Sequence, residues 1–518
     1  MVGKPAGLPY PYLLFKHTGR QTDCVFPAFT VLRSGTLQGM APREASLIDT
    51  LYQAARAKLD SPFIVVRVRI YVPYSQRTAC LYIDPPAVDT FRPHCIWKYK
   101  GTKNTGRIEH LLPLPYMIKF KIGILREEKI PFDRRVPLTP AQCVLVEKEF
   151  PGAEIIVQPS AHRCFPDSAY SEKGIRLSED LSECGLLMGI KEVPPGLLLP
   201  GRKYLFFSHT IKKQPHNRSL LKSVLEKKVQ LIDYECLTDK ERNRIIGFGR
   251  YAGIIGAYNG VMGYGKKYNL FHLRPAYLCG NKKEMITELE KTHLPNIRII
   301  VTGGGRVANG ALETLGALKI RKVTPYEFLN YTFREPVYVQ LHSADYHEAK
   351  DGSPWNSGHF YANPSEYRST FRKYIPHCDL LIHCTFWDPN APMLFTKEDM
   401  KNNMDFRISV IADVTCDMDG SIPSTIRASE IQDPFYGYNP VTGKEDEPFS
   451  KETITVMAVN NLPCELPADA SEDFGKSLIE RVFPSLFGKD TGGLIERATI
   501  ARDGRLSPAF SYLEDYVR

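Results

Sequence analysis

Ile297-Arg-Ile-Ile-Val-Thr-Gly-Gly-Gly-Arg-Val-Ala308 decides the reading of this chain. A short β-branched run ends in three glycines, and a helix-compatible stretch, 306–318, follows. This is the pattern of a strand, a tight turn and a helix N-terminus, where backbone N–H groups and the helix dipole hold a pyrophosphate. Counted from Gly303, the spacing Gly303-x-Gly305-x-x-Ala308 is the G-x-G-x-x-A form of the dinucleotide fingerprint, with Arg306 as its first helical residue.

Working outward, the chain has 518 residues and is 43% hydrophobic, enough for roughly two to four domains with sizeable cores. No apolar stretch reaches the length of a membrane span, and the N-terminus lacks a basic-then-apolar signal pattern. The twelve cysteines include no C-x-x-C pair. Neither a zinc site nor a disulfide framework is suggested, no metal is expected, and reduced thiols point to a cytoplasmic protein. The net charge of +9 is unevenly placed: residues 1–117 hold six Lys and nine Arg against five Asp and two Glu, a net of +8, leaving +1 for the remainder. A basic surface on the main body is therefore not supported, and no nucleic-acid or membrane partner is expected.

Residues 1–116 do not alternate turn chemistry with periodic segments, and strand-like runs such as 63–72 stand alone. Three readings stay open: an extension introduced by the gene model, a poorly ordered basic extension, or a small extra domain. From residue 118 the texture changes to strands alternating with helices, which argues for an α/β fold with largely parallel sheets. Strands are predicted at 120–125, 154–157, 186–190, 204–207, 230–233, 320–323, 379–382, 408–411 and 454–459. Helices are predicted at 139–150, with Thr139 as cap and Pro140 at its first position, and at 216–227 and 471–483. Gly253, Gly256, Gly260 and Gly263 recur at helical spacing, and Gly costs about 1 kcal/mol against Ala inside a helix. The repeat predicts a helix packed closely on another element. Residues 338–374 read as a polar excursion from the domain.

Seven stretches in order carry a family likeness: Arg126-Glu-Glu-Lys…Asp133-Arg-Arg-Val-Pro-Leu-Thr-Pro140, Gly189-Ile-Lys-Glu-Val-Pro194, Phe206-Phe-Ser-His-Thr-Ile-Lys-Lys213, Asp233-Tyr-Glu235, Arg244-Ile-Ile-Gly-Phe-Gly249, Ile411-Ala-Asp-Val-Thr-Cys-Asp417 and Asn461-Leu-Pro-Cys-Glu-Leu-Pro467. From about residue 117 to the end the chain resembles the lysine-forming saccharopine dehydrogenase and lysine–2-oxoglutarate reductase group, which shares the fold of alanine dehydrogenase and transhydrogenase. The resemblance implies two Rossmann-like domains with a cleft between them: a substrate domain at 117–262, a nucleotide domain at 263–432, and a return to the substrate domain at 433–518. It also implies an enzyme of lysine metabolism that interconverts saccharopine with lysine and 2-oxoglutarate, using NAD(P). The alternatives are an amino-acid dehydrogenase acting on a smaller substrate, as alanine dehydrogenase does, and a non-catalytic nucleotide-binding homologue.

Lys191 and His209 each lie just beyond a predicted strand, where open α/β sheets place their sites, and both are candidates for proton transfer. Without the resemblance, Lys191 reads more readily as a solvated strand-end lysine, and His209 as a satisfied core histidine about as often as a functional one. By resemblance, Arg126, Arg135 and Arg244 hold substrate carboxylates, Glu235 belongs to the same pocket, and Asp417 and Asn461 lie near the nicotinamide. Guanidinium suits bidentate capture of a carboxylate. Asp413 is read as a turn cap, and Asn460 departs from an aspartate in relatives. The end of the second nucleotide-domain strand is expected at Lys322, with Glu327 beyond it. With no acid there for a ribose hydroxyl, the sequence leans toward NADP over NAD. Oligomeric state is not legible.

Overall fold

The computed structural model describes residues 120–402 and 405–518, together with the backbone of two strands in the first segment, β1 (Arg67–Tyr71) and β2 (Cys80–Asp84). These two form an antiparallel pair that matches Arg67 with Asp84. The strand expected at 63–72 contains β1, and the three readings of residues 1–116 otherwise lie outside the described residues.

The first large sheet starts with β3 (Phe120–Ile124), β4 (Ala153–Val157), β5 (Arg176–Leu177), β6 (Leu186–Met188), β7 (Lys203–Phe206) and β8 (Gln230–Asp233), all parallel. Such strands are covered on both faces and read as near-continuous apolar runs. Leu186, Leu187, Met188, Tyr204, Leu205 and Phe206 are accordingly fully buried. The first crossover helix, α1 (Pro140–Glu149), begins with a reciprocal cap. Thr139 Oγ1 accepts from the Gln142 amide at 3.3 Å, and Gln142 Oε1 accepts from the Thr139 amide at 3.0 Å. A second helix, α2 (Arg218–Glu226), buries Leu220, Leu221 and Val224 between β7 and β8.

The chain then runs into α3 (Gly249–Lys267), whose buried residues occur on every side. The glycines supply close approach, as their spacing predicts. A Cβ on Gly253 would stand 1.8 Å from the Val307 carbonyl oxygen, and one on Gly256 2.4 Å from Val414 Cγ2. The partner helix is α4 (Arg306–Ala317), which answers with Gly310, where a Cβ would stand 1.9 Å from the Arg250 carbonyl. Thr314 Oγ1 donates to the Ile254 carbonyl at 2.9 Å and fixes the register of the two helices.

A second eight-stranded sheet holds β9 (Arg298–Thr302), β10 (Arg321–Val323), β11 (Val337–Leu341), β14 (Leu380–His383), β15 (Val410–Asp413), β16 (Phe435–Asn439), β17 (Lys444–Asp446) and β18 (Ile454–Met457), in the order β10-β11-β9-β14-β15-β18-β16-β17. Only β16 runs against the rest, pairing antiparallel with β18 and with β17. Apolar clusters cover both of its faces. Two differences from the sequence reading matter. Residue 338 lies inside β11, so the excursion begins one strand later; it carries the small hairpin of β12 (His347–Ala349) and β13 (Tyr367–Ser369), packed around Phe360 and Trp355. Residues 435–457 belong to the second sheet, whereas the sequence reading gave 433–518 to the first.

The return to the first sheet comes through α5 (Pro467–Arg481), which starts four residues before the expected 471 because Pro467 opens its first turn. Ser471 Oγ accepts from the Val136 amide at 2.9 Å, and Gln142 Nε2 donates to the Glu472 carbonyl at 2.7 Å. Two final antiparallel strands, β19 (Thr499–Arg502) and β20 (Arg505–Leu506), extend the sheet beside β8.

Candidate active site

The glycine turn follows β9. Gly303 has φ +93°, a backbone conformation that L side chains avoid, and its amide donates to the Leu341 carbonyl at 2.7 Å. Gly305 is the N-cap of α4 and caps it with no side chain, so the first-turn N–H groups face outward. A Cβ on Gly305 would meet nothing within 4 Å, and Ala308 is fully buried against the sheet. An uncapped twelve-residue helix behind exposed glycines fits a dinucleotide's pyrophosphate. Arg306 makes no hydrogen bond among the described residues. Burial, and then the charges of Arg244 and Arg481, lower its pKa.

On the first sheet the turns after β3, β6 and β7 converge. Arg135 and Asp133 form a buried bidentate pair, with Nη2 to Oδ2 at 2.5 Å and Nε to Oδ1 at 2.9 Å. Burial alone would raise the Asp133 pKa; the Arg135 guanidinium outweighs it and holds the carboxyl well below the usual range. Cys464 Sγ donates to Asp133 Oδ1 at 3.1 Å, and Asn461 Nδ2 donates to Oδ2 at 3.3 Å. Phe248 lies 4.1 Å from the Arg135 guanidinium carbon. Glu127, half-buried, accepts from the amides of Ile190 at 2.6 Å and Lys191 at 2.9 Å. Burial, followed by the charge of Asp133, pushes its pKa up to about 8.

Lys191 is thereby held by its backbone next to two opposite charges. Its ammonium makes no hydrogen bond or ion pair among the described residues. Burial, and then the Arg135 cation, lowers its pKa. The next residue, Glu192, takes His209 Nδ1 at 2.6 Å on one oxygen and Lys129 Nζ at 2.7 Å on the other. Burial opposes ionisation of Glu192, but these two partners bring its pKa down to about 2. His209 Nδ1 is thus committed to Glu192, and Nε2 has no partner among the described residues. His209 itself has φ +52°, a left-handed backbone uncommon outside glycine.

Glu235 Oε1 accepts from Arg244 Nη2 at 2.9 Å and lies 3.9 Å from Lys212 Nζ, while its buried Oε2 has no partner. Asp417, on the loop after β15, has its pKa raised by burial and then by Asp413, with Lys212 opposing. Lys212 thus carries charge from the first sheet's loops toward the second. Asp413 caps its turn as read: Oδ1 accepts from the Thr415 amide at 3.1 Å and hydroxyl at 2.7 Å.

Arg135, Lys191 and His209 stand in one group around Asp133 and Glu192, and Glu235, Arg244 and Asp417 in a second group around Lys212. Arg126 is engaged elsewhere, with Glu128 at 2.6 Å and Glu179 at 3.0 Å, at the edge of a cavity that also includes Phe132 and His162. Asn461 stands with the Asp133–Arg135 pair, and Asn460 is exposed. Lys322 departs from expectation. Its strand β10 is the outer one, and β11 lies between it and β9, so Lys322 does not end the strand next to the glycine turn. Glu327 is consumed by its own helix cap, accepting from the Thr324 amide at 2.7 Å. Sequence reasoning missed Glu127, Asp133, Glu192 and Lys212. All four stand in the quoted motifs beside residues that were chosen, and burial of the acids was the absent signal.

The model of the alanine dehydrogenase/PNT N-terminal domain matches residues 123–255, and that of the C-terminal domain matches residues 277–500. Alpha-aminoadipic semialdehyde synthase of Arabidopsis thaliana is 29% identical over 443 residues, covering 76% of this chain and 41% of that protein. The mitochondrial protein of that name from Rattus norvegicus is 28% identical, covering 76% of this chain and 47% of its own length. The chain thus spans less than half the length of these relatives. Saccharopine dehydrogenase [NAD(+), L-lysine-forming] of Emericella nidulans is 25% identical, covering 68% of this chain and 89% of that protein. In fold, a solved L-alanine dehydrogenase superposes with a TM-score of 0.52 at 18% identity, covering 77% of this chain and all of the other. With both domain models matched in order, one on each sheet, the chain belongs to the alanine dehydrogenase/PNT family.

Proposed function

We propose that the protein is a nicotinamide-nucleotide-dependent oxidoreductase of lysine metabolism that interconverts saccharopine with lysine and 2-oxoglutarate. The observation that carries this reading is the unpaired Lys191 ammonium, one residue from the Glu192 that holds His209, beside the buried Asp133–Arg135 pair. Joining an amine to a keto carbon needs a group that accepts a proton from nitrogen and one that gives a proton to the departing oxygen. Lys191, with its lowered pKa and unpaired ammonium, suits exchange at the nitrogen. His209, with Nδ1 committed to Glu192, exchanges a proton through Nε2 at the carbinolamine oxygen. Arg135 keeps Nη1 for a carboxylate, Arg244 offers a second cation, and Glu235 Oε2 is free to take a donor such as a substrate ammonium. The nucleotide, when bound, supplies or accepts the hydride.

The relatives' names support the same substrate class, and the charged groups that serve saccharopine formation serve its reversal as well. The test is a spectrophotometric assay of the full chain, following NADPH or NADH oxidation with lysine plus 2-oxoglutarate, and separately with pyruvate plus ammonia. Lysine-dependent oxidation supports the reading. Oxidation with pyruvate and ammonia alone would make the protein an alanine dehydrogenase-like enzyme. Nucleotide binding without turnover on either pair would make it a non-catalytic homologue.

A further inference from the structure

The order of the second sheet moves the ribose-reading position to a residue that the sequence did not single out. In a dinucleotide fold the adenosine ribose lies against the carboxyl end of the strand next to the glycine strand, where an acid holds the 2′-hydroxyl or a cationic setting accepts a 2′-phosphate. That neighbour here is β11, paired in parallel with β9 from Val337↔Arg298 to Leu341↔Thr302. The residue just past its end is His342. Its ring stands against the glycine turn: a Cβ on Gly304 would be 2.7 Å from His342 Cε1 and 2.8 Å from Nδ1.

The charges nearest this position are the Lys322 ammonium and the Asp345 carboxylate, the latter committed to a helix cap. Lys322, displaced to the outer strand, turns back across β11, where its Nζ donates to Gln340 Oε1 at 2.8 Å; Gln340 Nε2 in turn donates to the Gly303 carbonyl at 3.0 Å. A cation is thus tied to the glycine turn through one side chain. The three carboxylates between residues 320 and 345 all have partners within the chain. Glu327 caps Thr324, Glu335 pairs with Arg321 at 2.8 Å, and Asp345 Oδ2 accepts from the His342 amide at 2.7 Å. Each of these acids is committed within the chain, while the exposed His342 ring and the Lys322 ammonium stand beside the glycine turn, where a phosphate ester would meet them.

We propose that His342 is the residue that reads the adenosine ribose and that, with Lys322, it selects a nucleotide bearing a 2′-phosphate. This rests on the nicotinamide-nucleotide reading of the glycine turn and is independent of which amino acid is the substrate. The test is direct binding of NADPH and NADH to the full-length protein, followed by nucleotide fluorescence, in the wild type and in His342→Asp and Lys322→Ala variants. The wild type is expected to hold NADPH at least about tenfold tighter than NADH, an energy of about 1.4 kcal/mol. His342→Asp is expected to remove or reverse that ratio by weakening NADPH alone, and Lys322→Ala to weaken NADPH a few-fold. A wild type that favours NADH, or a His342→Asp variant that weakens both nucleotides equally while its melting temperature is unchanged, overturns the assignment. Should His342→Asp fail to fold, the wild-type ratio and Lys322→Ala still decide. NADPH preference without lysine-dependent turnover would sink the catalytic reading and leave this one standing, and turnover with NADH preferred would do the reverse.

Discussion

Lys191 is held as a reactive amine by its neighbours rather than by any partner of its own. Glu127 fixes its backbone, and burial and Arg135 disfavour its charge. His209 is poised in a complementary way, with one ring nitrogen committed to Glu192. Replacing either by Ala is expected to lower turnover by about 10²–10⁴-fold. Nucleotide affinity, read from fluorescence titration, should stay near the wild-type value; equal loss of that affinity in both variants would show that they are misplaced. Asp133 is different in kind. Its removal strands the buried Arg135 guanidinium, so Asp133→Asn is expected to cost about 3–5 kcal/mol of stability in urea unfolding. Lys191 and His209 were singled out from the sequence because strand ends in parallel sheets are where reactive residues stand. Glu127 and Asp133 were not, since an acid's burial depends on which distant turns cover it.

At the scale of elements, the α3–α4 contact was announced by its glycines. Their helical spacing says that one face must come close to something, but not to what. Gly253→Ala and Gly310→Ala each drive a methyl group to within 2 Å of a backbone carbonyl. Each is expected to lower stability by at least about 1–3 kcal/mol, the usual range for overpacking. Gly305→Ala has open space around it, so the melting temperature should hold while nucleotide affinity falls. A Gly305→Ala protein that binds nucleotide as tightly as the wild type would place the pyrophosphate elsewhere. The strand β11 escaped the reading of the sequence for a physical reason. Val337, Val339 and Leu341 alternate with Tyr338 and Gln340 over only five residues, and polar chain follows at once. The position of β10 at the outside was equally hidden, because strand order is decided by packing and not by local pattern.

At the scale of the whole molecule, Glu127 and Glu465 are acids whose protonation bears on stability. Burial raises both Glu127 and Glu465 to about 8, the second with Asn259 Nδ2 donating to it at 2.8 Å. Between the ordinary carboxyl range near 4.5 and about pH 8, the folded chain keeps protons that the unfolded chain releases. Stability contributed in this way is full below the ordinary value and is lost as pH rises through the folded one. Glu465→Gln should therefore shrink the difference in unfolding free energy between pH 5 and pH 8.5, measured by chemical denaturation; an unchanged difference would mean that Glu465 ionises freely. The two-sheet architecture was legible from alternating strands and helices, while the share of the C-terminal segment taken by the second sheet was not. The interlock of α3 with α4 also sets where this architecture can be cut and rejoined. A chimera that borrowed a foreign nucleotide domain at residue 263 would sever α3 within a turn of its last packed glycine and pair foreign helices with native notches. A graft that began before Gly249 would carry the notched helix and its mate together, so the inheritable module is the glycine turn plus the helix that precedes it.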